Sequence, residues 1–273
     1  MTGGSATGGG SATGGDSATA GGKLLTERRG GVLVLTLNRP EVRNAIDTEI
    51  AWGISNALDE FETDPTLIAA VLTGTNGTFS AGMDLKAFLA GESPSVGRRG
   101  FAGIVEGPPA KPVVAAVEGT AIAGGFEIVL ACDLIVAATD ARFGLPEVKR
   151  GLVAAGGGLL RLSRRIPYYL AMEWALTGEF VTAVQAERAG LVNRLVPPGQ
   201  ALATAIKLAE SIARNGPLAV AATKRILAEC RDWNLDEEFD RQREISLPVR
   251  GSADAREGAL AFKEKRPPRW TST

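Results

Sequence analysis

Two carboxylates border an almost wholly apolar stretch, and they are the strongest candidates for chemistry in this sequence. Glu127 follows the pair Gly124 and Gly125, and Glu147 comes directly after Pro146. The chain of 273 residues contains no histidine and only two cysteines, which excludes a zinc site and a Ser-His or Cys-His nucleophilic pair. Acid, base and donor functions are therefore left to carboxylates, lysines, hydroxyls and backbone groups.

The glycine pair precedes a short apolar helix and so offers a second chemical group, the unpaired backbone N–H. Such groups at a helix amino end favour negative charge. A similar turn is predicted in FSAGMDLKAF, where Gly82 allows a close approach and Met83 begins another helical turn. Two N–H groups from these turns can converge on one carbonyl oxygen. Taken singly, the glycines are more often a turn, and a first-turn glutamate is more often a dipole partner.

The elements that must position these residues alternate between strand and helix. Apolar, β-branched runs predict strands at Val32–Leu37, 67–74, 111–119 and 134–139, and an apolar stripe predicts a helix that starts at Asn44 or Asp47 and stops before Pro65. This order predicts an α/β fold with both sheet faces covered. Helical patterns fill most of the remainder, at residues 159–178, 182–190, 201–214, 217–231 and 252–266.

Composition limits the partners and the location of the protein. Thirty basic and thirty-one acidic residues give a net charge of −1, which argues against nucleic acid as a ligand. No apolar run is long enough for a membrane span or a signal peptide, so no membrane is expected and the cytoplasm is the default location. Residues 1–22 repeat Ser-Ala-Thr among glycines, which predicts a disordered tail with order beginning near Lys23.

In its longer motifs the sequence resembles the crotonase, or enoyl-CoA hydratase/isomerase, superfamily over about residues 24–270. The matching stretches, in the family's order and spacing, are LNRPEVRNAI, FSAGMDLKAF, KPVVAAVEGTAIAGGFEIVLACDLIVA, ARFGLPEVKRGLVAAGGGLLRL, ALTGE, AGLVNRLV and EGALAFKEKRPP. The resemblance implies the crotonase spiral of ββα turns over residues 23–205. It also implies a carboxy-terminal helical region over residues 206–273 that builds homotrimers or hexamers.

The resemblance also implies roles for particular residues. The family's thioester oxyanion hole falls on the backbone N–H groups of Met83 and Gly124, and its two hydratase glutamates fall on Glu127 and Glu147. Residues bordering the acyl-CoA fall on Ala81, Asp84, Leu85 and Lys86. Because close carboxylates push their pKa values apart, one can act as base and the other as acid; we assign Glu127 as the water-activating base and Glu147 as the proton donor.

These roles together imply an enoyl-CoA hydratase that forms a 3-hydroxyacyl-CoA from a trans-2-enoyl-CoA with no cofactor and no metal; coenzyme A is part of the substrate. Two alternatives remain within enzymes, an enoyl-CoA isomerase and a dehydratase of a specialised acyl-CoA. A non-catalytic acyl-CoA-binding protein is the alternative of another class. The sequence departs from many fatty-acid hydratases near Lys149 and Arg150, which either reshape the acyl pocket or face solvent.

Overall fold

The computed structural model describes residues 18–19 and 22–273 of the chain. Its strands are β1 (Ala18–Thr19), β2 (Leu24–Arg29), β3 (Val32–Leu37), β4 (Ala69–Gly74), β5 (Ser95–Val96), β6 (Gly100–Phe101), β7 (Val113–Val117), β8 (Thr120–Ile122), β9 (Leu134–Ala138), β10 (Arg142–Gly144), β11 (Val181–Thr182) and β12 (Arg194–Val196). Its α-helices are α1 (Thr48–Thr63), α2 (Leu85–Leu89), α3 (Gly124–Ala131), α4 (Gly158–Arg165), α5 (Tyr168–Thr177), α6 (Ala183–Arg188), α7 (Ala201–Ala213), α8 (Pro217–Glu229), α9 (Glu238–Arg250) and α10 (Ala253–Glu264).

The main sheet has the strand order β1-β2-β3-β4-β7-β9-β12, with parallel pairing from β3 onward. Successive side chains of β3 point to opposite faces, as a strand requires. Leu33 and Leu35 join one buried cluster, whereas Val32 and Val34 join a second cluster under α7. Both faces of this sheet are therefore covered, as the apolar strands predict.

A second, small sheet with the order β11-β10-β8 brings the two candidate carboxylates together. Strands β8 and β10 are parallel neighbours, with Ile122 opposite Gly144. The chain leaves both strands at the same edge, into α3 after β8 and into the 3₁₀ turn Pro146–Arg150 after β10. A further hydrogen bond of 2.9 Å from the Ala123 N–H to the Gly144 carbonyl ties these exits together.

Most of the predicted elements are confirmed, and the differences have local causes. The strand Val32–Leu37 has its predicted bounds, and α1 begins after Asp47, whose side chain accepts a hydrogen bond from the Ile50 N–H. The helical segment predicted at 159–178 is divided into α4 and α5, because Pro167 cannot continue a helix from its predecessor. Helix α9 was not predicted, and none of its residues is buried.

The carboxy-terminal helices are less deeply packed than the core. The expected domain boundary after residue 205 falls inside α7, whose Ala205 and Ile206 are both buried against the sheet, so α7 packs with the core. Of the predicted tail 1–22, β1 pairs with β2, Gly22 is exposed, and the other residues lie outside the described ones. Within the described residues, no helix is both long enough and apolar enough to cross a membrane.

Candidate functional site

The amino end of α3 presents a backbone N–H at the edge of the small sheet. Ala123 precedes the helix with φ 51° and ψ −131°, an unfavourable conformation for a residue with a Cβ. This conformation sets the direction of the peptide group between Ala123 and Gly124. A Cβ at position 124 would lie 2.6 Å from Cε1 of Phe101, so any larger residue there would have to displace this ring.

The loop that carries Met83 is fixed beside this helix end. Met83 forms an isolated parallel bridge with Ile46, made by hydrogen bonds of 2.8 Å from the Ile46 N–H to the Gly82 carbonyl and 2.9 Å from the Asp84 N–H to the Ile46 carbonyl. The peptide groups on either side of Met83 are thus used in the bridge, and its own N–H points away from Ile46. A Cβ at Gly82 would lie 2.8 Å from the Gly124 nitrogen, so the two turns are in direct contact.

Both predicted donor N–H groups are unpaired among the described residues. Neither the Met83 N–H nor the Gly124 N–H donates a hydrogen bond to another group of the described residues. Buried N–H groups without partners are rare in folded proteins. The structure therefore brings together the two predicted donors of an anion-binding pair.

Glu127 lies one turn into α3 and is almost completely buried, with 5% of its surface exposed. Its Oε1 accepts a 3.0 Å hydrogen bond from the Gly158 N–H. A Cβ at Gly156 would lie 2.6 Å from Oε2, and one at Gly158 would lie 2.9 Å from Cγ of Glu127. The glycine-rich turn before α4 therefore encloses this carboxyl, and any side chain at positions 156 or 158 would displace it.

Glu147 lies in the 3₁₀ turn that follows β10 and is partly buried. Its Oε2 is buried without a hydrogen-bond partner among the described residues. An ionised oxygen in such a place is costly, whereas a protonated carboxyl carries no net charge. The surroundings of Glu147 thus favour its protonated form.

The two carboxyls differ in the groups that act on their pKa values. Burial raises the pKa of Glu127 above its ordinary 4.5, but the N–H groups of Gly158 and Gly156 and the charge of Arg161 oppose that rise. Burial also raises the pKa of Glu147, and there the charge of Glu127 adds to the rise while the residue's own backbone N–H and Arg150 oppose it. Positive groups therefore surround Glu127, and a negative one acts on Glu147.

The residues predicted to border an acyl-CoA lie on the Met83 side of the site. The Asp84 carboxylate caps α2 by accepting from the Lys86 N–H at 2.9 Å and the Ala87 N–H at 3.2 Å, and it pairs with Arg39 at 3.0 Å. Burial alone would raise the pKa of Asp84, but these hydrogen bonds and Arg39 lower it below its usual value. Asp84 is thus engaged in holding the turn after Met83.

The neighbours of Asp84 remain open to a ligand. Leu85 and Lys86 are exposed at the start of α2, and Ala81 is partly buried. An exposed ammonium such as that of Lys86 suits an anionic group that stays near solvent.

The two basic residues that follow Glu147 face outward. Lys149 pairs with the exposed Glu179 through a 2.6 Å contact, and the exposed Arg150 lies 3.4 Å from the Pro146 carbonyl. Of the two alternatives left open by the sequence, the structure supports the solvent-facing one. The charge of Arg150 still acts on the nearby Glu147, whose raised pKa it opposes.

Several residues of the site were not identified as such from the sequence. Gly156 and Gly158 enclose Glu127, and the charge of Arg161 lowers the pKa of this carboxyl. Ala123 sets the direction of the Gly124 N–H. The run of three glycines at 156–158 was visible as a motif, but nothing local connects it to Glu127. The two N–H groups of the site can stabilise a negative oxygen of a bound molecule. The two carboxyls can exchange protons with that molecule.

Comparison with known proteins gives consistent matches over nearly the whole chain. The model of the enoyl-CoA hydratase/isomerase family matches residues 27–273. The chain is 44% identical over 251 residues to enoyl-CoA hydratase EchA19 of Mycobacterium tuberculosis, covering 89% of this chain and 94% of the relative. Identity is also 44% over 251 residues to the carnitinyl-CoA dehydratase of Salmonella arizonae, covering 89% of this chain and 96% of the relative. A crystal structure of an enoyl-CoA hydratase from Mycobacterium tuberculosis H37Rv has a TM-score of 0.90 at 56% identity, covering 92% of this chain and 99% of that one.

Proposed function

Because this chain belongs to the enoyl-CoA hydratase/isomerase family, we propose that it adds water to the double bond of a trans-2-enoyl-CoA. The crotonase fold expected from its motifs is confirmed by the solved structures that it matches. One observation supports hydration above all: the parallel strands β8 and β10 lead at the same sheet edge into the elements that carry Glu127 and Glu147, and the charge of Glu127 adds to the raised pKa of Glu147. Glu127 lies one helical turn after Gly124, and we place both carboxyls beside the donor pair formed by the N–H groups of Met83 and Gly124.

In the proposed reaction the thioester oxygen binds between the N–H groups of Met83 and Gly124. Attack of water on the β-carbon moves electrons through the conjugated system to this oxygen, which becomes negative. Donors already fixed in place stabilise that charge without reorganising, and loss of one such donor costs roughly 3–4 kcal/mol in other enzymes. Since both donors are backbone groups, the side chain of Met83 plays no part in this step.

The carboxyls divide the two proton transfers between them. Glu127, ionised beside the glycine turn, removes a proton from water as its oxygen bonds to the β-carbon. Glu147, protonated, donates a proton to the α-carbon, and the bond order between the two carbons falls from two to one. Glu127 then holds an extra proton and Glu147 lacks one, so a proton must pass between them before the next turnover, which makes them titrate as a coupled pair.

We place the remainder of the acyl-CoA along the surface formed by Ala81, Leu85 and Lys86. Asp84 borders this surface as well and supports it as the cap of α2. Coenzyme A enters as part of the substrate, and the steps above require no further cofactor and no metal.

The direct test is the loss of the conjugated thioester absorbance when crotonyl-CoA and longer enoyl-CoAs are mixed with the protein. Glu127→Gln and Glu147→Gln should each lower kcat by at least about a hundredfold, as expected for general acids and bases. Glu179→Gln removes a surface carboxylate whose one ion-pair partner among the described residues is Lys149, and it should leave kcat unchanged. Full activity in either active-site variant would remove that residue from the mechanism.

A dehydratase of a specialised acyl-CoA is the second candidate, favoured by the relative named carnitinyl-CoA dehydratase. The same carboxyls would run the reaction in the opposite direction, so a panel of enoyl-CoAs and 3-hydroxyacyl-CoAs, with carnitinyl-CoA included, separates the two. An isomerase would shift the double bond without incorporating solvent oxygen. A non-catalytic binder would retain CoA thioesters and convert none.

We also propose that the chain assembles as a homotrimer or as a hexamer of two trimers, as the family resemblance implies. Large apolar side chains are exposed on α5 and on the carboxy-terminal helices, among them Tyr169, Leu176, Phe239 and Phe262. Extended apolar surfaces of this kind usually mark protein interfaces. Light scattering coupled to gel filtration measures the mass directly, and a monomer at micromolar concentration would contradict the proposal.

A further inference from the structure

The three glycines at 156–158 form a turn that is used on both sides. On one side, the Gly158 N–H donates to Glu127 at 3.0 Å. On the other side, the guanidinium of Arg161 contacts the turn: Nη1 lies 3.5 Å from the Gly156 carbonyl, and a Cβ at Gly157 would lie 2.5 Å from Nη1. The turn thus lies between the Glu127 carboxyl and the Arg161 guanidinium, and both groups contact it.

Arg161 is held in this position from two directions. Its own backbone N–H donates to the Gly157 carbonyl at 3.0 Å, at the start of α4. Its Nη2 donates to the carbonyl of Val105, in the segment that follows β6. The side chain is partly buried, and none of its hydrogen bonds goes to a carboxylate among the described residues.

The charge of Arg161 is therefore not neutralised by an adjacent ion pair. Burial lowers the pKa of Arg161, while the negative charge of Glu127 opposes that change. In turn Arg161 lowers the pKa of Glu127 against the effect of burial. Cys132 at the end of α3 and Arg164 on α4 also act on the pKa of Arg161. Arg161 in turn acts on Arg165, and Glu127 acts on Glu147 in the 3₁₀ turn.

Those neighbours do not replace Arg161. Burial raises the pKa of Cys132 to about 12, so this thiol is neutral. Arg165 donates to the Cys132 carbonyl at 3.3 Å, and Arg164 is exposed and lies 3.5 Å from Asp232. Arg161 is the cation that both contacts the glycine turn and acts on the Glu127 carboxyl.

We propose that Arg161 is a positioning residue for Glu127: it fixes the glycine turn against the carboxyl and supplies the positive charge that keeps this carboxyl ionised. The two glutamates then differ in protonation because the Glu127 carboxyl accepts from the glycine turn that Arg161 holds, whereas Oε2 of Glu147 is buried without a partner among the described residues. The expected effect of Arg161 on the kinetics rests on the proposed function, whereas its effect on the protonation state of Glu127 does not.

The test is an infrared titration of Glu127, which reads protonation directly. The band of a protonated carboxyl that disappears in Glu127→Gln identifies this residue in the wild-type spectrum. In Arg161→Gln the midpoint of that band should move to higher pH by about one unit, the lower end of the effect of a nearby opposite charge. Arg161→Lys keeps the charge and should bring the midpoint back toward the wild-type value.

Arg164→Gln is the matched control, because it removes the same charge from the same helix at a side chain that is 60% exposed. It should leave the midpoint unchanged. If Arg161→Gln does not fold, Gly157→Ala displaces the guanidinium from the turn with the residue retained, and it should move the midpoint in the same direction. A wild-type midpoint in Arg161→Gln, or in Gly157→Ala where that variant replaces it, overturns the proposal.

Kinetics give the second readout and separate this inference from the proposed function. In Arg161→Gln the acidic limb of the kcat/KM profile should move to higher pH with the midpoint, and KM should stay close to wild type. A loss of activity that is equal at all pH values would indicate a purely structural role and would contradict the inference. If the wild-type protein hydrates no enoyl-CoA, the proposed function fails while the infrared titration still decides the role of Arg161.

Discussion

Gly82 lies so close to Gly124 that a Cβ at position 82 would be 2.8 Å from the Gly124 nitrogen. The two residues belong to separate turns. Gly82 precedes Met83, which carries one of the two unpaired N–H groups of the site, and Gly124 carries the other. This contact fixes the separation of the donors at Met83 and Gly124. A carbonyl oxygen can bind both only while position 82 has no side chain.

Gly82→Ala should therefore lower kcat by about a hundredfold to a thousandfold, the loss seen when one oxyanion donor is removed. The methyl group would displace the Gly124 N–H, and the φ of +90° adds backbone strain. Steady-state kinetics with crotonyl-CoA measure the effect. The control is Gly190→Ala, which has a similar φ of +81° with nothing within 4 Å, and should cost stability but not activity.

Gly156→Ala should abolish the contribution of Glu127 without changing any charge. The new Cβ would lie 2.6 Å from Oε2 of Glu127, so the carboxyl must leave its position on the glycine turn. We expect kcat to fall to within about tenfold of the Glu127→Gln value, since both variants remove a general base worth about a hundredfold or more. Wild-type kcat in a folded Gly156→Ala protein would show that the turn does not position the base.

Glu127→Gln should stabilise the protein, and more so as the pH rises. The folded pKa of Glu127 is raised above 4.5, so the contribution of this group to stability is present at low pH and is lost as pH rises through the folded pKa. The amide stays neutral and can still accept from the Gly158 N–H. Thermal unfolding from pH 4 to pH 8 should show a difference in Tm that grows with pH. A difference that is constant across this range would contradict the raised pKa.

Lys224 should be important for attaching α8 to the core. Its Nζ donates to the carbonyls of Pro109 at 2.8 Å and Lys111 at 3.0 Å and to Asp133 at 2.7 Å. Lys224→Met removes the ammonium from both carbonyls and leaves Asp133, among the described residues, with the Val113 N–H alone, which should lower the free energy of unfolding by about 1–3 kcal/mol in urea titrations.

Arg225 offers the matched control for this measurement. Its ion pair with Glu229 is a surface pair, with side chains 61% and 45% exposed. Arg225→Met should therefore change the free energy of unfolding by less than about 0.5 kcal/mol. Equal losses in the two variants would show that Lys224 has no special part in holding α8.

The sequence by itself determined the local parts of the site. Glu127 follows Gly124 by three positions, so one helical turn places the carboxyl and the free N–H on α3 together. The apolar run Val32–Leu37 predicted a strand buried on both faces, and Asn44 or Asp47 predicted the start of α1, which the structure places after Asp47. The longer motifs then identified the family, because they keep their order and spacing along the chain.

Only the tertiary structure decided which distant groups meet at Glu127. Glu147 reaches it because β8 and β10 pair in parallel, and Gly158 reaches it across 31 residues of chain. Arg161 arrives with the same turn. Helical period and capping depend on neighbours three or four residues apart, whereas strand pairing depends on which sheet edges lie together in space. The first kind of information can be read along the chain, and the second exists only once the sheets have formed.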